Sequence, residues 1–120
     1  MATVFERCGG FATVRRIVSD FYDRVLDSSV LRHHFESVDM RRLIDHQTKF
    51  IAFAMGGPAA FNDDALERVH APLAISRVEF REMATLLRDT LEDFDLPPED
   101  VDAVLDEVMR RQERIVGQGD

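Results

Sequence analysis

The chain has 120 residues, 45% of them apolar and 32% charged, a formal charge of -8 and one cysteine, Cys8. That is enough for one domain over residues 1–120 with its own core, and it excludes an intramolecular disulfide. The spread of the basic residues argues against a nucleic-acid partner, no apolar run nears the ~20 residues of a membrane span, and no basic flank with an apolar run opens the chain, so a cytoplasmic protein is expected.

Almost every segment reads at helical period. Gly9-Gly10 opens a long helix whose stripe is Val14, Ile17, Val18, Phe21 and Val25, with Tyr22 along its edge. Asp27-Ser-Ser29 stops it, and a short helical piece ends near His34-Phe35. Asp39 caps the next helix, from Met40 to about Met55, and Gly56-Gly-Pro58 ends it. The segment Pro58 to Asp64 reads as loop. Asp63 or Asp64 can cap a short helix through His70, limited by Pro72. That helix is too short to stand without something to pack against.

Ser76-Arg-Val-Glu79 matches a capping box and starts a helix with Phe80, Met83, Ala84, Leu87 and Leu91 on one face. Leu96-Pro-Pro-Glu-Asp100 breaks the chain and restarts it, Pro98 being suited to a first helical turn. The last helix presents Val101, Val104, Leu105, Val108, Met109 and Ile115, and Gly117 to Asp120 is expected to fray. The fold class is all-α.

The four histidines, His33, His34, His46 and His70, are the candidate soft or borderline ligands. His33 and His34 are adjacent, so on a helix their side chains diverge; with no HExxH or CxxC motif, a zinc site is not expected. Both are read as solvated and without a role. No nucleophile elbow, GxGxxG or P-loop is present, and Cys8 reads as a small buried or half-buried residue. His70 shares a face with Leu66. A lone histidine on such a face is usually a core or boundary residue. A haem iron needs one such imidazole with apolar cover around it, and Phe35, Leu43, Phe50, Ile51, Leu66, Phe80, Met83 and Leu87 can supply that cover.

Leu43, His46, Gln47 and Phe50 fall at i, i+3, i+4 and i+7, one helix face. Burying Gln47 without a partner costs about 1–3 kcal/mol. Its amide therefore reaches solvent, bonds Tyr22, or waits for a ligand, and periodicity alone leaves these three open.

Taken together, Gly9-Gly10, the run Asp20 to Leu26, Phe35 before Asp39-Met40, His46-Gln47, Phe50, Gly56-Gly-Pro58 and Val69-His70 resemble the group I truncated haemoglobins, from Phe5 to about Val116. The resemblance implies a 2-on-2 helical sandwich around one haem b, with His70 as the proximal iron ligand and Phe35 flat against the macrocycle. It implies that Tyr22 and Gln47 form the distal polar pair that stabilises bound O2, while Leu43 takes a place where many globins carry histidine. His46 has two readings under it: a second, distal iron ligand, bis-histidyl with His70 until O2, CO or NO displaces it, or a residue at the pocket mouth facing a propionate or water. Arg68, and Arg41 or Arg42, are candidates for the haem edge, a solvated arginine being the alternative for each.

Three functions then compete. One is turnover of nitric oxide to nitrate, with an outside reductase because no flavin or nicotinamide motif is present. The second is reversible O2 binding by a monomer. The third is electron transfer or gas and redox sensing with endogenous hexacoordination. A cofactor-free helical adaptor would leave Tyr22, His46, Gln47 and His70 unexplained together.

Overall fold

The computed structural model describes residues 2–58 and 75–112. Its elements in chain order are α1 (Val4–Cys8), α2 (Phe11–Asp27), a 3-10 turn (Arg32–Phe35), α3 (Met40–Ala54), α4 (Arg77–Asp93) and α5 (Pro98–Met109). No strand occurs among the described residues. The predicted loop after Pro58, the short helix through His70, and the residues Leu66, Arg68 and Ile115 lie outside the described residues, as does the tail.

Most boundaries fall where the local chemistry puts them. Asp39 accepts the Arg42 backbone N–H and starts α3. Ser76 and Glu79 form the full reciprocal capping box at the head of α4. Pro98 stands in the first turn of α5, where its missing N–H costs nothing. Helix α1 is an addition to the expected set. Thr3 accepts the Glu6 N–H while the Glu6 carboxylate accepts the Thr3 N–H, so Thr3-Val-Phe-Glu6 is itself a capping box.

Helix α2 lies against α3 and α4, α4 packs on α5, and α3 also meets α5, giving two helices on two. The α2 stripe Val14, Ile17, Val18, Phe21 and Val25 is fully in the core, together with Phe80, Leu87, Leu91, Val101, Val104, Leu105 and Val108. Met109, expected on the inward face of α5, is exposed instead. It follows Val108 by one residue, a turn of about 100° away from the buried face. The core hydroxyls of Thr48 and Thr90 donate back to the Ile44 and Leu86 carbonyls, 2.7 Å in each case, so neither is left unsatisfied.

At one end α1 is tied down tightly. The Phe5 N–H donates to the Met55 carbonyl at 3.0 Å, and the Phe5 ring meets Phe11 edge-on with centroids 4.8 Å apart. Gly57 lies beneath that ring; a Cβ there would stand 2.6 Å from Phe5 Cδ1 and 2.9 Å from the Ala52 carbonyl oxygen. Only glycine admits this approach. Arg7 reaches Asp100 at 2.6 Å, and the Asp100 side chain is only 7% exposed. Cys8 is half-buried, its Sγ donating to the Phe5 carbonyl, and burial pushes its thiol pKa up. It therefore carries little thiolate at neutral pH.

Candidate functional site

Toward the C-terminal end of the α2 stripe the helices do not close on one another. A cavity of about 240 Å³ lies between α2, the 3-10 turn, α3 and α4. Helix α2 contributes Val18, Phe21, Tyr22 and Val25; the turn contributes His34 and Phe35. From α3 come Leu43, Gln47, Phe50 and Ile51, and from α4 Glu79, Phe80, Met83 and Leu87. Every described residue put forward from the sequence as haem-facing or distal is therefore gathered here, except His46.

The α3 register explains the exception. Leu43, Gln47, Phe50 and Ile51 stand at i, i+4, i+7 and i+8, a stripe that faces the cavity. His46, at i+3, lies about 40° beyond Phe50 on the helical wheel. It is exposed and does not line the cavity. Arg41 and Arg42 are also exposed and away from the lining.

Tyr22 is 8% exposed, held edge-on by Phe21 at 4.9 Å and by Phe35 at 5.9 Å between ring centroids. Burial without a compensating charge pushes its phenol pKa well above the ordinary value. The ring thus keeps its O–H, a donor, at any physiological pH. Among the described residues neither the Tyr22 hydroxyl nor the Gln47 amide has a hydrogen-bond partner, so the two do not bond each other. Yet among the described residues no fully enclosed side-chain N or O lacks one. These groups therefore retain open space beside them, on the wall of a cavity otherwise lined mainly by apolar side chains.

His34 corrects the sequence reading. Expected to be solvated, its side chain is 9% exposed, lines the cavity, and meets the Glu79 carboxylate at 2.8 Å. His33 reaches the same oxygen at 3.3 Å, though its own side chain is 56% exposed. The two rings do not diverge: on the 3-10 turn their centroids are 4.0 Å apart. Burial opposes ionisation of Glu79, but the Ser76 N–H and the His34 ring outweigh it and hold the carboxyl below its usual pKa range. The sequence carried one signal for this pairing, the capping box that fixes Glu79 at the third residue of α4.

Apolar walls on three helices, with the unpartnered Tyr22 and Gln47 among the lining residues, make a site suited to an apolar group carrying a small polar ligand, the class of site that globins use for haem. The known proteins agree. A family model described as bacterial-like globin matches residues 3–116. The group 1 truncated hemoglobin GlbN of Mycolicibacterium paratuberculosis is 33% identical over 87% of this chain and 76% of its own length. Its Synechocystis counterpart is 31% identical over 81% and 82%. A crystal structure of the 2/2 hemoglobin from Synechococcus, in the cyanomet state with covalently attached heme, superposes with a TM-score of 0.88 at 26% identity, covering 96% of this chain and 98% of that one. The chain belongs to the bacterial-like globins and, within them, to the group 1 truncated haemoglobins. Haem-based binding of small gas ligands follows from that membership. The described residues fit such a group: an apolar slot, a phenylalanine on its wall and two unpartnered donors. His70, Leu66 and Arg68, the remaining candidates, lie outside the described residues.

Proposed function

We propose that the chain binds haem b, that His70 would be the residue holding its iron, and that Tyr22 and Gln47 would hold the bound O2, NO or CO. When bound, the haem supplies an iron that takes a diatomic ligand and carries the redox chemistry. The residues of this chain supply the selectivity. The Tyr22 hydroxyl and the Gln47 amide donate hydrogen bonds to a gas polarised toward negative charge, and the surrounding Phe35, Leu43, Phe80 and Leu87 keep competing water away. Leu43 offers no donor, so the stabilisation rests on the other two.

One observation carries this reading: the hydroxyl of buried Tyr22 and the amide of half-buried Gln47 stand without a described partner on the wall of a largely apolar cavity. Such an arrangement favours avid O2 binding and, with an external reductase to restore the iron, the oxidation of nitric oxide to nitrate. The chain works as a cytoplasmic monomer, one globin domain per haem. The test is the O2 dissociation rate of the ferrous protein. A hydrogen bond to a charged acceptor is worth about 1.5–3 kcal/mol, so Tyr22→Phe should release O2 roughly tenfold faster or more. An unchanged rate would remove Tyr22 from the site.

His46 decides whether the distal position is open. Its exposure on the flank of α3 supports an open position with His46 at the pocket mouth. A second reading, iron ligation by His46 and an electron-transfer or sensing role, is favoured by its place between Leu43 and Gln47, both of which line the cavity. Unliganded ferrous protein should give a five-coordinate spectrum, with His46→Leu leaving it unchanged. A six-coordinate low-spin spectrum that His46→Leu abolishes would establish the second reading.

A further inference from the structure

The His33, His34 and Glu79 cluster is not needed by the haem reading, and its geometry is specific. The Nε2 atoms of both histidines converge on a single oxygen, Glu79 Oε2, at 3.3 and 2.8 Å. Their rings stand 4.0 Å apart and tilted by 37°. All three ligand atoms lie within 4.8 Å of one another. Two adjacent imidazoles aimed at one carboxylate oxygen bring together three lone-pair donors that would otherwise spread into solvent.

We propose that these three side chains bind a divalent transition-metal ion of the zinc class, through His33 Nε2, His34 Nε2 and a Glu79 carboxylate oxygen. Two histidines and a glutamate with one position left for water are a recurrent zinc set. Bonds of about 2.0–2.2 Å in a tetrahedron hold the ligand atoms roughly 3.3–3.5 Å apart. The His33 separation already has this value, and the His34 contact has to widen by about half an ångström to reach it.

The carboxylate is held in place for the task. Its other oxygen, Oε1, accepts the Ser76 N–H at 2.9 Å, and the Ser76 hydroxyl accepts the Glu79 N–H at 3.0 Å. Such outer bonds orient a ligating carboxylate and reduce the freedom it loses on metal binding. Access is asymmetric. His34 and Glu79 are largely covered, whereas His33 is exposed and leaves one side open for entry and for a coordinated water. The formal charge of -8 raises the local concentration of cations around the whole molecule. A bound ion would join the 3-10 turn to the head of α4, elements 45 residues apart in sequence.

The test uses haem-loaded, tag-free protein titrated calorimetrically with zinc chloride. One zinc per chain is expected, with micromolar or tighter affinity. His33→Ala and Glu79→Gln should each weaken it by about tenfold or more. Neither variant threatens the fold, since His33 is exposed and a glutamine can still accept the Ser76 N–H. X-ray absorption at the zinc edge should report two imidazole nitrogens in the first shell. Absence of saturable binding, or binding that both variants leave unchanged, would overturn the proposal.

Discussion

The two ends of the α2 stripe are built on opposite terms. Where α1 folds onto α3 and α5, close contacts fill the space: Phe5 over Gly57, Phe5 against Phe11, Arg7 on the covered Asp100, and Cys8 on the Phe5 carbonyl. Around the cavity, Tyr22 and Gln47 sit on apolar walls with no described partner. The first region is held by its own contacts, so changes there should cost stability. The second is held ready for something else, so changes there should cost ligand affinity and leave the fold nearly untouched.

The sharpest way to break this contrast is Gly57→Ala. The added methyl meets the Phe5 ring and the Ala52 carbonyl, and overpacking of this kind costs about 1–3 kcal/mol. The melting temperature should fall by several degrees while O2 dissociation stays at the parent rate; a shift in both would join the two regions. Tyr22→Phe should do the reverse. Its lost hydroxyl bonds no described residue, so urea unfolding should change by no more than about 0.5 kcal/mol, against the large kinetic effect expected above.

The smallest effect is expected from pH. Glu79 has a lowered carboxyl pKa in the folded protein, so its contribution to stability is present above the ordinary glutamate range near 4.5 and is lost as pH falls through the folded value. The parent should lose stability more steeply than Glu79→Gln over that acid window, and the two should run parallel between about pH 6 and 8. Parallel curves throughout would mean that the ionised Glu79, held by the Ser76 N–H and by His34, contributes nothing to stability.

Much of this architecture could be read before any coordinates. The stripe Val14 to Val25 needed only the helical period, and Asp39, Ser76 and Pro98 marked their helix starts through local hydrogen bonding and a missing N–H. Helix α1 escaped because its capping box, Thr3 to Glu6, precedes only a single turn before Gly9, too little to show a period. Tyr22, Phe35, Gln47 and the apolar lining of the cavity were found partly from helix faces and partly from family resemblance. The His34 contact was out of reach for a different reason. Adjacent side chains diverge on an α-helix, and nothing in Arg32-His-His-Phe35 announces a 3-10 turn; its partner Glu79 is distant in sequence. His46 shows the limit of face arguments, since i+3 and i+4 share a face on paper but fall on either side of the edge where α3 turns outward.

The capping box of α4 gives Glu79 two simultaneous occupations, one oxygen on the Ser76 amide and the other toward the histidine pair. Any cation or proton that draws on the second oxygen changes the electron density of the first. The Ser76 amide proton therefore becomes a reporter: its chemical shift and its rate of exchange with deuterium should register events at His33 and His34. A single backbone resonance at the start of α4 would then read the charge state of a turn whose His34 lies 45 residues before Glu79 in sequence.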